Sequence, residues 1–360
     1  EIRSGFFRDL QTLNAEVSVY NIYKRFQETG RFHAMKCIRD DAHKPHVFWD
    51  SDIAKWLESV ANILAKKQDA QLKQWADEAI ADICASQLPC GYFNSYFQVY
   101  EPENIFTKRP EHELYCAGHL IEAAVALDAC GVNGKLLAVM KKYAEYIYER
   151  FYGLTGDDTL VQVCETLFQD IVNKKMYLTG GTGSSNVGER FTIAYDLPNQ
   201  TAYSETCAAI ALAFFAERMA RIGNKAAYHA VVERVLYNNV LAGESLDGKG
   251  FFYTNPLEMH AAFARYARTL PDAPYQPIPE RVEVFGCSCC PPNLIRLFAQ
   301  LGGFALCTTT KRCGRMRAEK PWNTVRSFSA PKVRTMAATL QAWRSRRPTM
   351  RKSARKAGSA

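Results

Sequence analysis

Residues 52–66, DIAKWLESVANILAK, place Ile53, Trp56, Leu57, Val60, Ile63 and Leu64 at helical spacing. Residues 72–87 repeat the pattern through Trp75, Ala79, Ile80 and Ile83, and Pro89, Cys90 and Gly91 end it. Residues 113–130, 135–151, 159–174, 205–221 and 225–241 follow suit, with glycine-containing breaks between them. Paired helices with short connections and no convincing run of strands predict an all-α toroid or bundle. No short-period repeat with a fixed signature is present. Two long loops interrupt the helices, one at 179–199 and one running from Gly243 through the proline-rich 271–279 to Pro292. Long loops on a helical scaffold are where binding and catalysis concentrate.

Outward from these helices, composition sets limits. The chain has 360 residues, 48% of them hydrophobic and 12% aromatic, ordinary values for a soluble globular protein. No run of eighteen apolar residues occurs, so no transmembrane helix is expected. The chain opens at Glu1 with neither a Met nor a charged-then-apolar leader, and the start reads as a fragment boundary. The net charge of +8 joins two unlike parts: residues 305–360 carry 15 Lys/Arg and one acid, Glu319, a balance of +14, and the preceding residues balance at −6. Only Leu306, Val325, Phe328, Val333 and Leu340 supply strong apolar side chains to the tail, too few to fold it. The expectation is one helical catalytic domain over 1–304, then a disordered basic tail over 305–360 that reads as the output of a shifted frame. A nucleic-acid-binding arm is the competing reading of the tail, disfavoured because aromatic interleaving stops at Trp322, Phe328 and Trp343. Twelve cysteines are too sparse for a disulfide scaffold, and reduced thiols suit a cytoplasmic setting.

The chemistry-bearing residues start with Cys287, Cys289 and Cys290, in CSCCPPN, where a rigid turn against two prolines aims adjacent sulfurs at one point. A lone cysteine reads as a small buried hydrophobe, but three within four residues read as a metal site, with Cys207 a fourth candidate. Glu205 lies two residues before Cys207. On a helix that spacing sets them about 200° apart, so they converge only in an extended segment or where a helix begins, with Ser204 as the expected N-cap. The loop from Gly180 to Ser185 looks like a phosphate cradle but lacks the Gly-Lys-Ser/Thr ending. Glu189 follows in Gly188-Glu189-Arg190, and alone it reads as a solvated loop glutamate. His112 and His119, seven apart, share a helical face, either as ligands or as hydrogen-bonded histidines facing the interior.

Together, HELYCAGHLIEAAVA (112–126), the segment 179–207 (TGGTGSSNVGERF…YDLPNQTAYSETC) and CSCCPPN (287–293) closely resemble glycoside hydrolase family 127, the β-L-arabinofuranosidases. The resemblance runs from about Gly5 to Phe304. It implies an (α/α)6 barrel carrying the active site, followed by β-sandwich domains. It implies Zn2+ held by Glu205, Cys207, Cys289 and Cys290, with Cys289 as nucleophile, Glu189 as general acid/base, and His112 and Tyr253 as sugar contacts. Cys287 becomes a structural neighbour. The implied reaction is double displacement with retention, a thiolate replacing the usual carboxylate, on an L-arabinofuranose-containing oligosaccharide. Membrane and nucleic-acid partners are not expected, and a homodimer is compatible with this reading.

Two departures stand out. Between Phe151 and Tyr152 the family carries further barrel helices with substrate-contacting histidines, and after Phe304 it continues into strands where this chain turns basic. The toroid is therefore expected to be incomplete. The competing function is a catalytically dead, zinc-binding remnant whose metal only staples helices.

Overall fold

The computed structural model describes residues 2, 4–150, 159–223, 225–267, 269–270, 277–283 and 286–304. The junction expected near 151–152 and the tail 305–360 lie outside them. Thirteen α-helices are described: α1 (Phe6–Leu13), α2 (Val19–Glu28), α3 (Arg31–Ala34), α4 (Trp49–Leu64), α5 (Ala70–Ser86), α6 (Phe97–Tyr100), α7 (Glu113–Ala129), α8 (Lys135–Arg150), α9 (Thr159–Lys174), α10 (Thr206–Gly223), α11 (Ala226–Val235), α12 (Ala261–Ala267) and α13 (Cys290–Phe304). Short 3-10 and π turns and isolated bridges accompany them, and no strand occurs among the described residues. The fold is all-α, of the helical-toroid kind expected. No described helix is long and apolar enough to cross a membrane.

The decisive helix is α4. Its apolar residues Ile53, Trp56, Leu57 and Val60 are fully buried, and α4 packs against both α7 and α13. Trp56 donates its indole N–H to the Val19 carbonyl at 3.0 Å, satisfying the one polar atom it buries. The charged residues of α4 are buried too, and each engages a different part of the chain. Asp50 accepts the Ser95 backbone N–H at 3.1 Å. Asp52 pairs with Arg31 of α3 at 3.0 Å. Lys55 donates to the Tyr115 hydroxyl of α7 at 2.6 Å. Glu58 pairs with Arg296 of α13 at 2.7 Å. Buried charges must be paired or hydrogen-bonded, so these contacts fix the rotation of α4 about its axis.

The predicted helices fall within a few residues of those observed, with three corrections. The segment 225–241 is α-helical only to Val235; a π turn, Leu236–Val240, and a short 3-10 turn, Leu241–Gly243, complete it. Ser204 does not cap α10. The helix begins at Thr206 after Glu205, and Ser204, at φ 37°, accepts a hydrogen bond from Asn239 Nδ2 instead. The two prolines after Cys290 do not end a rigid turn but begin α13, where their missing N–H groups leave no bond unmade. A second π turn, Asn14–Ser18, joins α1 to α2 and turns Asn14 and Ser18 toward the buried carboxylate of Glu244.

Candidate functional site

The first turns of α10 and α13 converge. Glu205 forms a bridge with Thr254, so it is still extended one residue before α10 begins. The segment around Tyr253 is clamped there: the Thr206 N–H donates to the Tyr253 carbonyl at 2.9 Å, and Asn255 Nδ2 donates to Thr206 Oγ1 at 2.9 Å. This break from extended to helical geometry is what lets Glu205 and Cys207 face one point, the condition their spacing demanded. Cys289 and Cys290 arrive from the start of α13.

One ligand atom from each of Glu205, Cys207, Cys289 and Cys290 lies within 4.8 Å of the others, and all four residues are buried. Cys207 Sγ is 3.6 Å from Cys290 Sγ, and Cys289 Sγ is 3.7 Å from Cys290 Sγ. Glu205 Oε1 lies 3.3 Å from Cys289 Sγ and 3.8 Å from Cys290 Sγ. A tetrahedron with metal–sulfur bonds of ~2.3 Å and metal–oxygen bonds of ~2.0 Å has S···S edges of ~3.8 Å and S···O edges of ~3.5 Å. These four edges lie within a few tenths of an ångström of that figure, and these sulfurs are too far apart for disulfides. The cluster can therefore hold a metal ion.

Electrostatics at the cluster is uneven. Hydrogen bonds from Cys207, Cys287 and Cys290 hold the Cys289 thiol well below the usual range. Burial pushes Cys207 and Cys290 up, and burial followed by the charge of Cys289 does the same to Glu205. The N-termini of α10 and α13 add positive potential, which favours thiolates. Cys289 is thus set apart from Cys207 and Cys290 as the thiol most easily deprotonated.

Above Cys289 sits the Tyr253 hydroxyl, 3.7 Å from its sulfur and 3.6 Å from that of Cys287. The same hydroxyl donates to Glu189 Oε1 at 3.4 Å, and Tyr203 donates to that oxygen at 2.8 Å. Glu189 is exposed, in the left-handed conformation at φ 48°. Both tyrosines engage Oε1. Cys289 and Glu189 are therefore two hydrogen-bond lengths apart through one hydroxyl. Tyr203 was missed in the sequence, because nothing near it signals that the chain folds back onto Glu189.

His112 precedes α7 with φ 60°, and its Nδ1 is buried without a hydrogen-bond partner. His46, Phe48, His112, Tyr115 and His119 form successive ring contacts with centroids 4.0 to 5.8 Å apart. His112 and His119 do share a face, but Tyr115 lies between them, and neither belongs to the four-ligand cluster. His119 instead meets Arg296 Nη1 at 3.3 Å. The glycine loop is no phosphate cradle. A Cβ on Gly180 would meet Val235 Cα at 2.7 Å, and one on Gly181 would meet Ser204 Oγ at 2.0 Å. Its glycines permit close packing.

Comparison with known proteins gives a consistent result. The sequence profile described as "Beta-L-arabinofuranosidase, GH127 catalytic domain" matches residues 1–153 and 148–303. A non-reducing end β-L-arabinofuranosidase of Bifidobacterium longum subsp. longum is 29% identical over 377 aligned positions, covering 73% of this chain and 56% of that protein. The crystal structure of Ara127N-Se, a GH127 β-L-arabinofuranosidase from Geobacillus stearothermophilus T6, superposes with a TM-score of 0.72 at 29% identity, over 84% of this chain and 65% of that one. The GH127 β-arabinofuranosidase BT3674 gives 0.69 at 25% identity, over 84% and 60%. The chain thus spans little more than half the length of the curated relative.

Proposed function

This chain belongs to the GH127 family of β-L-arabinofuranosidases, and from that premise we propose that it is a retaining glycoside hydrolase releasing terminal β-L-arabinofuranose from an oligosaccharide. The observation that carries the reading is the Tyr253 hydroxyl, which bridges a buried thiol of unusually low pKa and an exposed carboxylate. Glu205, Cys207, Cys289 and Cys290 would hold Zn2+, which keeps its thiol ligands deprotonated when bound. The absence of disulfides among the described cysteines suits both this site and a cytoplasmic setting.

In this reading Cys289 attacks the anomeric carbon, a C–S bond forms, and the glycosidic C–O bond breaks. Glu189 gives its proton to the departing oxygen. Glu189, now a carboxylate, then takes a proton from the water that attacks the same carbon, and the C–S bond breaks to restore the thiolate. Two inversions leave the configuration retained. Tyr203 and Tyr253 anchor one carboxylate oxygen of Glu189, leaving the other for the proton. His112, whose buried Nδ1 has no hydrogen-bond partner, and Tyr253 would contact the sugar, as the family likeness implies.

The profile matches in two pieces that overlap at 148–153, and the alignment to the Bifidobacterium enzyme has more positions than this chain supplies. Both support a segment missing near 151–152, which favours the zinc-binding remnant as the second reading. One experiment separates the two. Cys289→Ser should abolish turnover of a chromogenic β-L-arabinofuranoside, and azide should partly rescue Glu189→Ala to give a β-azide of retained configuration. An inverted azide, or wild-type rates in Cys289→Ser, defeats the mechanism. Bound zinc without any turnover leaves the remnant.

A further inference from the structure

Lys55 is completely buried in α4. Its ammonium meets only hydroxyls, Tyr115 at 2.6 Å and Ser51 at 3.4 Å, and lies 4.8 Å from the centroid of the Tyr115 ring. Among the described residues no carboxylate is within ion-pair distance of it. Asp52, one turn earlier, is committed to Arg31, and its other oxygen, Oδ1, has no hydrogen-bond partner. An ammonium taken from water without a counter-charge costs several kcal/mol and tends to lose its proton. Burial does act in that direction on Lys55, but Tyr115, Cys207, Cys289 and Asp52 more than offset it and hold its pKa high.

The negative charge at hand is the thiol cluster. Helix α4 packs on α13, and Ser59, one turn beyond Lys55, reaches the Pro292 carbonyl at 3.5 Å. This sets α4 behind the two cysteines that begin α13. Three thiolates and a carboxylate outweigh a divalent cation by two negative charges, and a dry site with such an excess needs a cation beside it. We propose that Lys55 is a positioning residue, the counter-charge of the metal-loaded cluster, with its ammonium held in place by the Tyr115 hydroxyl. The inference rests on the metal reading above.

It carries an asymmetry. Without metal the buried ammonium has no carboxylate partner among the described residues and burial alone disfavours it; with metal it would face a net anion. Neutral replacements therefore weaken metal binding and leave the empty protein as stable as before, or more so.

The test uses Lys55→Met and Lys55→Gln, stripped of metal under reducing conditions. Zinc affinity is read by competition with a chromophoric chelator, and the melting temperature of the metal-free form is measured alongside. Both variants should lose zinc affinity by ~10–100-fold, as changes behind metal ligands do, with no fall in metal-free melting temperature. Wild-type affinity in both variants overturns the role of Lys55, and so does a lower melting temperature at unchanged affinity, the pattern of a packing residue. Wild-type protein that binds no zinc overturns the metal reading itself.

Discussion

Replacing Arg31 by methionine keeps most of the apolar stem and removes the guanidinium. That group is 1% exposed and pairs through Nε with Asp52, itself 0% exposed, at 3.0 Å. It also donates to Thr29 Oγ1 at 2.7 Å and to the Gly286 carbonyl at 2.9 Å, and lies 4.7 Å from the Trp49 ring centroid. Breaking a buried pair by deleting one partner costs ~3–5 kcal/mol, because the other charge stays buried. Burial has already pushed Asp52 up to about 6, against the lowering by Arg31 and Lys55. Without Arg31 it rises further and takes up a proton, which caps the loss. We expect Arg31→Met to lose ~3–5 kcal/mol in urea unfolding at pH 7.5 followed by circular dichroism. The double variant Arg31→Met/Asp52→Leu should recover ~1–4 kcal/mol of that. Both variants should bind zinc more weakly, because the tether on Gly286, next to Cys287, is gone in each. A single-variant loss under ~1 kcal/mol, or a double variant no more stable than the single, refutes the account of Asp52 as a charge dependent on Arg31.

Two further outcomes follow from buried groups. Burial pushes the Glu244 carboxyl up to about 7 although Asn14 and Ser18 both donate to it. A carboxyl raised above its unfolded value of ~4.3 favours folding at low pH, and the benefit disappears as pH rises to 7. Glu244→Gln should therefore stabilise by up to ~3 kcal/mol at pH 8 and change little at pH 4; equal effects at both pH values contradict this. Gly181→Ala sets a Cβ 2.0 Å from Ser204 Oγ and 2.5 Å from Asn239 Nδ2. It should cost ~1–3 kcal/mol and lower zinc affinity by displacing Glu205; unchanged zinc affinity in the folded variant argues against that coupling.

The legible part of the sequence was its periodicity. Ile53, Trp56, Leu57 and Val60 announce α4 because a buried helix needs a continuous apolar face. The same stripe concealed Lys55, whose significance depends on Tyr115 and the cysteines far along the chain. The π turns at Asn14 and Leu236 were not foreseen, since one inserted residue barely disturbs an apolar pattern. Spacing could group the thiols but could not separate Cys287 from Cys289, and only family likeness made that choice. The convergence of Glu205 with Cys207 depends on a bridge to Thr254, a long-range pairing that no local pattern encodes. The packing role of the glycine loop was hidden for the same reason: the atoms that forbid a side chain there belong to Val235 and Ser204.

The cluster also acts on the unfolded chain. Cys207 and Cys290 stand 83 residues apart, so a metal gripping both ties off a long loop. By the chain-entropy relation for disulfides such a closure is worth ~4–5 kcal/mol, a large share of the ~5–15 kcal/mol that holds a typical domain together. With a metal bound as proposed, Glu205, Cys207 and Cys290 would keep that loop closed without help from Cys289. In the proposed mechanism the knot would therefore stay tied while its fourth strand does chemistry, and the Cys289 thiol would leave its place on each turnover without loosening the fold around it.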